Sequence, residues 1–143
     1  MGTKVQSDQF VSDGWATIGT AYASAADAHT TNSTWEDVNS MSVTVVPTAT
    51  AELMCTFTCT IKSNSVNWEH NYFKFLLDGT TSSESHRQII DADAVTSRYW
   101  IVTIHTVFSA VSAASHTIKV QWQTQSDLDV IFYERRLTVM ICQ

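Results

Sequence analysis

Residues 98–143 constrain the fold more than any other part of the chain. Residues 98–109 read RYWIVTIHTVFS, 116–124 HTIKVQWQT, 128–134 LDVIFYE and 136–142 RLTVMIC. Each run is rich in β-branched and aromatic residues, and each alternates between two faces. The last run sets Leu137, Val139 and Ile141 against Arg136, Thr138, Met140 and Cys142. Four such runs in succession predict an all-β domain with the final strand built into a sheet.

Upstream, the pattern continues. Residues 15–22, WATIGTAY, place Trp15, Ile18 and Tyr22 among small residues. Residues 23–33 are small and polar and read as a loop. A strand lies within 35–46, a turn at Pro47–Thr50, a strand over 51–62, a loop over 63–67, and a strand over 68–77 ending at the turn pair Asp78-Gly79. Residues 82–91 read as one further strand. The count is about nine to ten antiparallel strands with no amphipathic helix, which indicates a sandwich or barrel. No repeat of 20–50 residues suggests a propeller or solenoid. The expected organisation is a polar N-terminal arm over 1–12 followed by one domain over 13–143. At 143 residues, a single domain can bury roughly 70% of its unfolded surface.

Charge narrows the function classes. Only 15% of residues are charged, and the net charge is −6. The eight basic residues are scattered, so the chain lacks the footprint of a nucleic-acid binder. The adjacent pair Arg135-Arg136 reads as solvated strand positions. No apolar run reaches the ~18 residues of a membrane span. Residues 1–12 lack the apolar region of a secretory signal. Synthesis in a cytoplasm with reduced thiols is therefore expected. Cys55 and Cys59 share a strand face with Leu53, Phe57 and Ile61 and sit roughly 13 Å apart along it. A disulfide requires Cα atoms within about 7 Å, so buried free thiols are expected. Cys142 is read as free as well.

No cluster makes a convincing active site. There is no GxSxG elbow, and the five histidines are dispersed. His105 falls on the face of Tyr99, Ile101, Thr103 and Val107. Asp91/Asp93 and Asp127/Asp129 carry carboxylates two apart at turns, but turn aspartates have backbone reasons of their own. The expectation is no enzyme, no cofactor and no metal. The aromatics are the strongest binding hint. Trp100 and Trp122 share the alternating face of Val102, Ile104 and Phe108 and of Ile118 and Val120 and read as core, whereas Trp35 and Trp68 lie near loops, where an exposed ring can stack on a sugar or anchor a partner.

Residues 99–141 resemble the C-terminal half of C1q/TNF-like jelly rolls, and more closely the small jelly-roll domains of bacteriophage structural proteins. The resemblance rests on the long strand Tyr99 to Phe108, the small-residue loop 109–115, His116-Thr117-Ile118-Lys119-Val120-Gln121-Trp122, the turn at Ser126-Asp127 and the terminal strand 136–141. FKFLLDG at 73–79 is similar to the mid-domain strand and turn of that group. The resemblance implies a jelly-roll β-sandwich, a homotrimer and a role on a virion surface. The most common such role is a trimeric decoration (cement) protein binding the outside of the shell through the major capsid protein or another virion protein. The alternative is a carbohydrate- or receptor-binding module of a phage tail or fibre. On this reading Tyr99, Ile101, His105 and Val107 face a neighbouring subunit. Lys4, Val5, Phe10, Trp35 and Trp68 contact other partners.

Overall fold

The computed structural model describes residues 15–29, 34–63, 69–84, 86–90, 99–124 and 130–143. The strands are β1 (Trp15–Ala23), β2 (Asp27–His29), β3 (Glu36–Val45), β4 (Ala51–Ser63), β5 (Glu69–Leu77), β6 (Thr81–Ser82), β7 (His86–Ile90), β8 (Tyr99–Val111), β9 (His116–Thr124) and β10 (Val130–Cys142). They form two antiparallel sheets. One runs β1-β10-β4-β8, with β2 also on β10; the other runs β3-β9-β5-β6, with β7 also on β5. Consecutive strands thus alternate between sheets along most of the chain, which is the jelly-roll arrangement expected from the sequence.

Alternation explains the packing. Leu53, Cys55, Phe57, Cys59 and Ile61 of β4 meet Phe73 and Phe75 of β5, Ile118, Val120 and Trp122 of β9, and Phe132, Leu137 and Val139 of β10; all are fully buried. Phe132 is the aromatic centre of this core. Its ring lies edge-on to Trp122 at 5.2 Å and to Phe73 at 6.1 Å, the geometry preferred by ring quadrupoles. Trp100 packs against the same core, partly buried. Cys55 and Cys59 are buried and unpaired, and Cys142 is half-buried and unpaired. Burial pushes the Cys55 thiol up to about 12.

Four features depart from the sequence reading. The stretch read as a loop at 23–33 contains β2, whose three residues extend the β1 side of β10. The stretch 82–91 is not one strand, because Ser82 ends β6 and β7 begins only at His86. The runs 128–134 and 136–142 share a single 13-residue strand, β10. A bulge between Tyr133 and Arg135 shifts its register against β4. That bulge also overturns the solvated reading of Arg135, which turns inward and is 3% exposed, while Arg136 stays out.

In β1, Ile18, Thr20 and Tyr22 face outward, and Gly19, Ala21 and Ala23 face inward. A Cβ on Gly19 would lie 2.4 Å from Val43 Cγ1 of β3, so β1 and β3 close one lateral edge of the sandwich without room for a side chain. At the β5–β6 turn, Asp78 and Gly79 both have positive φ, 51° and 71°. This is the tight hairpin geometry that an Asp-Gly pair favours, and Thr80 N–H donates to the Leu77 carbonyl at 3.2 Å.

Candidate interaction surface

The two outer faces differ in kind. On the β3-β9-β5 sheet, polar groups satisfy one another. Asp37 accepts from Lys119 Nζ at 2.7 Å and from Gln121 Nε2 at 2.9 Å. Desolvation pushes its carboxyl up, but these hydrogen bonds and the Lys119 charge outweigh that and hold it below the ordinary range. Thr44 and Thr117 pair their hydroxyls at 3.2 Å. Lys74 Nζ sits 4.3 Å over the Trp35 ring, a cation–π contact that occupies a face of that half-buried indole.

The outer face of the β1-β10-β4-β8 sheet is more apolar, although Thr58 and Thr103 pair their hydroxyls on it at 3.3 Å. Of the six most exposed large apolar side chains among the described residues, five lie here: Ile18, Tyr22, Tyr99, Ile101 and Val107. Ile101 is 78% exposed. Between the two edge strands runs a neutral strip of half-buried Met54, Thr56, Thr58, Thr60, Thr138 and Met140. Tyr99 stacks edge-on against Tyr133 at 5.4 Å. The charges are peripheral or lean on rings, with Arg136 5.5 Å over Tyr22 and Lys62 6.0 Å over Tyr99. A sheet face this rich in apolar and neutral side chains, with Lys62 and Arg136 held against rings, is a candidate interaction surface. Tyr99, Ile101, His105 and Val107 lie together on it, all exposed on β8, as their alternation predicts. Trp35 lies on the other sheet's side. Lys4, Val5, Phe10 and Trp68, and the carboxylate pairs Asp91/Asp93 and Asp127/Asp129, fall outside the described residues.

One cluster has the residue types of a catalytic triad. His116 Nδ1 lies 2.6 Å from Asp78 Oδ2, and Nε2 lies 3.2 Å from Ser112 Oγ. Yet Nε2 also lies 3.0 Å from the Ser112 carbonyl oxygen. A carbonyl only accepts, so this contact is a hydrogen bond when Nε2 carries a proton, and in that form Nε2 has no lone pair to offer the hydroxyl. The Asp78 hydrogen bond raises the His116 pKa, against a smaller opposing effect of burial, and the Ser112 carbonyl adds to the rise. Asp78 also accepts from Thr117 N–H at 2.8 Å. Desolvation pushes its carboxyl up, but the Thr117 and His116 hydrogen bonds outweigh this and lower its pKa. The chemistry is that of a clamp joining the β5–β6 turn, the β8–β9 loop and the start of β9.

Sequence reasoning missed a buried ion pair. Arg135 Nη1 donates to the Ala25 and Phe132 carbonyls, both at 3.1 Å, and Nη2 lies 3.7 Å from Asp27 Oδ2. Asn39 Nδ2 donates to Asp27 Oδ1 at 2.8 Å. The signal lay in the sequence, since the apolar positions run even through Val130 and Phe132 and odd from Leu137 onward. An open depression of about 420 Å³ lies between Thr50, Glu52, Ala110, Cys142 and Gln143. Among the described residues, no group of three or more His, Cys, Asp or Glu side chains is placed to hold a metal. None of their helices is long and apolar enough to cross a membrane.

No family model matches the chain, and no curated protein matches it. Among solved structures, its fold is similar to a chain in the structure of infectious bursal disease virus, Gx strain. That match has a TM-score of 0.58 and 13% identity, over 88% of this chain and 32% of that one. A chain from the Gt strain of the same virus matches at a TM-score of 0.51 and 7% identity, over 86% of this chain and 31% of that one. The protein thus spans about a third of the length of these neighbours. At such identities the likeness is one of fold.

Proposed function

We propose that this protein is a non-enzymatic structural component of a virion, a trimeric decoration protein that binds the outer surface of the shell. The observation that carries the reading is the uncovered apolar face of the β1-β10-β4-β8 sheet. One sheet face is fitted for water, and the opposite one is fitted for protein. The likeness of fold to chains in virus structures supports the viral setting, as does the resemblance of residues 99–141 to phage jelly rolls. Shell lattices offer three-fold positions, which a trimer matches by symmetry. A neighbouring subunit covers Tyr99, Ile101, His105 and Val107. The polar arm over 1–12 reaches the shell protein and adds a strand to an exposed sheet edge. Three arms binding together turn a modest affinity into firm attachment.

Two measurements test this. Light scattering on the purified chain should give three times the 15.9 kDa monomer mass, and Ile101→Glu, at a position already exposed, should leave a folded monomer. Co-sedimentation with undecorated shells should retain the full chain and lose a chain lacking residues 1–12. A wild-type monomer at micromolar concentration would sink the trimer. Normal decoration by the truncated chain would sink the arm.

A further inference from the structure

The lateral edge opposite the β1–β3 seam is built differently. There β7 ends one sheet and β8 ends the other, and their chains run close enough for two histidine rings to face each other. His86 pairs in register with Phe73, whose ring is in the core. Paired residues share a sheet face, so the His86 ring leaves β7 on the side facing the opposite sheet. His105 stands exposed on β8. The ring centroids are 6.5 Å apart, with an angle of 40° between the planes. Among the described residues neither imidazole has a hydrogen bond or ion pair, in contrast to His116, whose two nitrogens are both committed.

We propose that His86 and His105 bind a late first-row divalent cation of the zinc, copper(II) or nickel(II) class, one ring nitrogen from each sheet. Imidazole is the ligand these ions favour. With metal–nitrogen bonds of about 2.1 Å, an ion lies about 3.2 Å from each ring centroid, so two imidazoles on a tetrahedral ion have centroids about 5.2 Å apart. The observed 6.5 Å exceeds this, so the two rings close by about 1 Å when the ion binds. Two protein ligands leave the remaining positions to water, or to the neighbouring subunit where the proposed trimer covers His105, and the site is not a condition for folding. Binding ties the two sheets together at the edge where the described strands share no ladder. It stabilises the folded state by mass action, because residues 19 positions apart in the chain are held together only there.

The test uses the full chain at neutral pH, with zinc chloride as the probe after treatment with a chelator. Zinc should raise the thermal midpoint and shift the ring-nitrogen NMR signals of both His86 and His105. His86→Ala and His105→Ala should each weaken zinc binding by about tenfold or more, since one imidazole cannot chelate. The proposal is overturned if zinc leaves the two rings unshifted, if either substitution leaves the affinity intact, or if the wild type binds no more tightly than the single-histidine variants. The ring signals are read on the wild type, so a variant that failed to fold would not decide the matter.

Discussion

Arg135 shows how one residue can depend on a local irregularity. A regular β10 would have sent its side chain to solvent, and the bulge after Tyr133 sends it inside instead. A guanidinium at 3% exposure is tolerable only with its protons satisfied, and the Ala25 and Phe132 carbonyls with Asp27 do much of this. Removing one partner from a buried pair leaves the other charge uncompensated. Arg135→Ala is therefore expected to destabilise the fold by about 3–5 kcal/mol, read from urea unfolding, whereas Arg136→Ala should change little. A loss below about 1 kcal/mol would mean that Arg135 behaves as a surface ion pair. Gly19 makes a second prediction of the same kind. Gly19→Ala places a methyl against Val43, and overpacking of this sort costs about 1–3 kcal/mol. Of the two, only Arg135 left a trace in the sequence, the change of apolar phase between Phe132 and Leu137. Arg135 was hidden because alternation assigns faces only while the ladder is regular, and Gly19 because its constraint comes from a strand in the other sheet.

At the scale of elements, the Asp78–His116 clamp joins a turn, a loop and a strand start that are distant in the chain. Its contribution depends on pH from both sides. The His116 pKa is raised, so its stabilisation is complete below the ordinary value of 6.5 and fades as pH rises through the raised one. The Asp78 pKa is lowered, so its part is complete above 3.8 and fades as pH falls through the lowered one. Stability from this clamp should be greatest between those two values, and His116→Gln should flatten the alkaline decline in chemical unfolding. An unchanged decline in that variant would show that another group sets it. Much at this scale was readable in advance. The strands over 51–62, 68–77, 98–109 and 116–124 follow from period-two alternation, and Asp78-Gly79 announces its turn by residue type. The Tyr99, Ile101, His105 and Val107 face of β8 also follows from alternation. What alternation could not supply was pairing across the chain: Asp78 with His116, Asp27 with Arg135, His86 with His105. β2 was missed because three residues of small and polar character carry no period.

For the molecule as a whole, the unequal outer faces matter most. One sheet resolves its charges internally and the other leaves apolar side chains uncovered, so the two outer faces of the molecule are unlike. The fully buried thiols of Cys55 and Cys59 have a further use. They lie on β4, flanked in the sheet by β8 and β10, where no local fraying exposes them. Burial holds both in the protonated form, which is unreactive. Under native conditions a thiol reagent should modify the half-buried Cys142 first and the other two only after the sandwich opens. Equal rates at all three would mean that β4 opens by itself. With Cys142 replaced by serine, the slow rate becomes a stopwatch for whole-molecule opening. Anything that holds the sandwich shut can then be ranked by how long it delays two sulfur atoms.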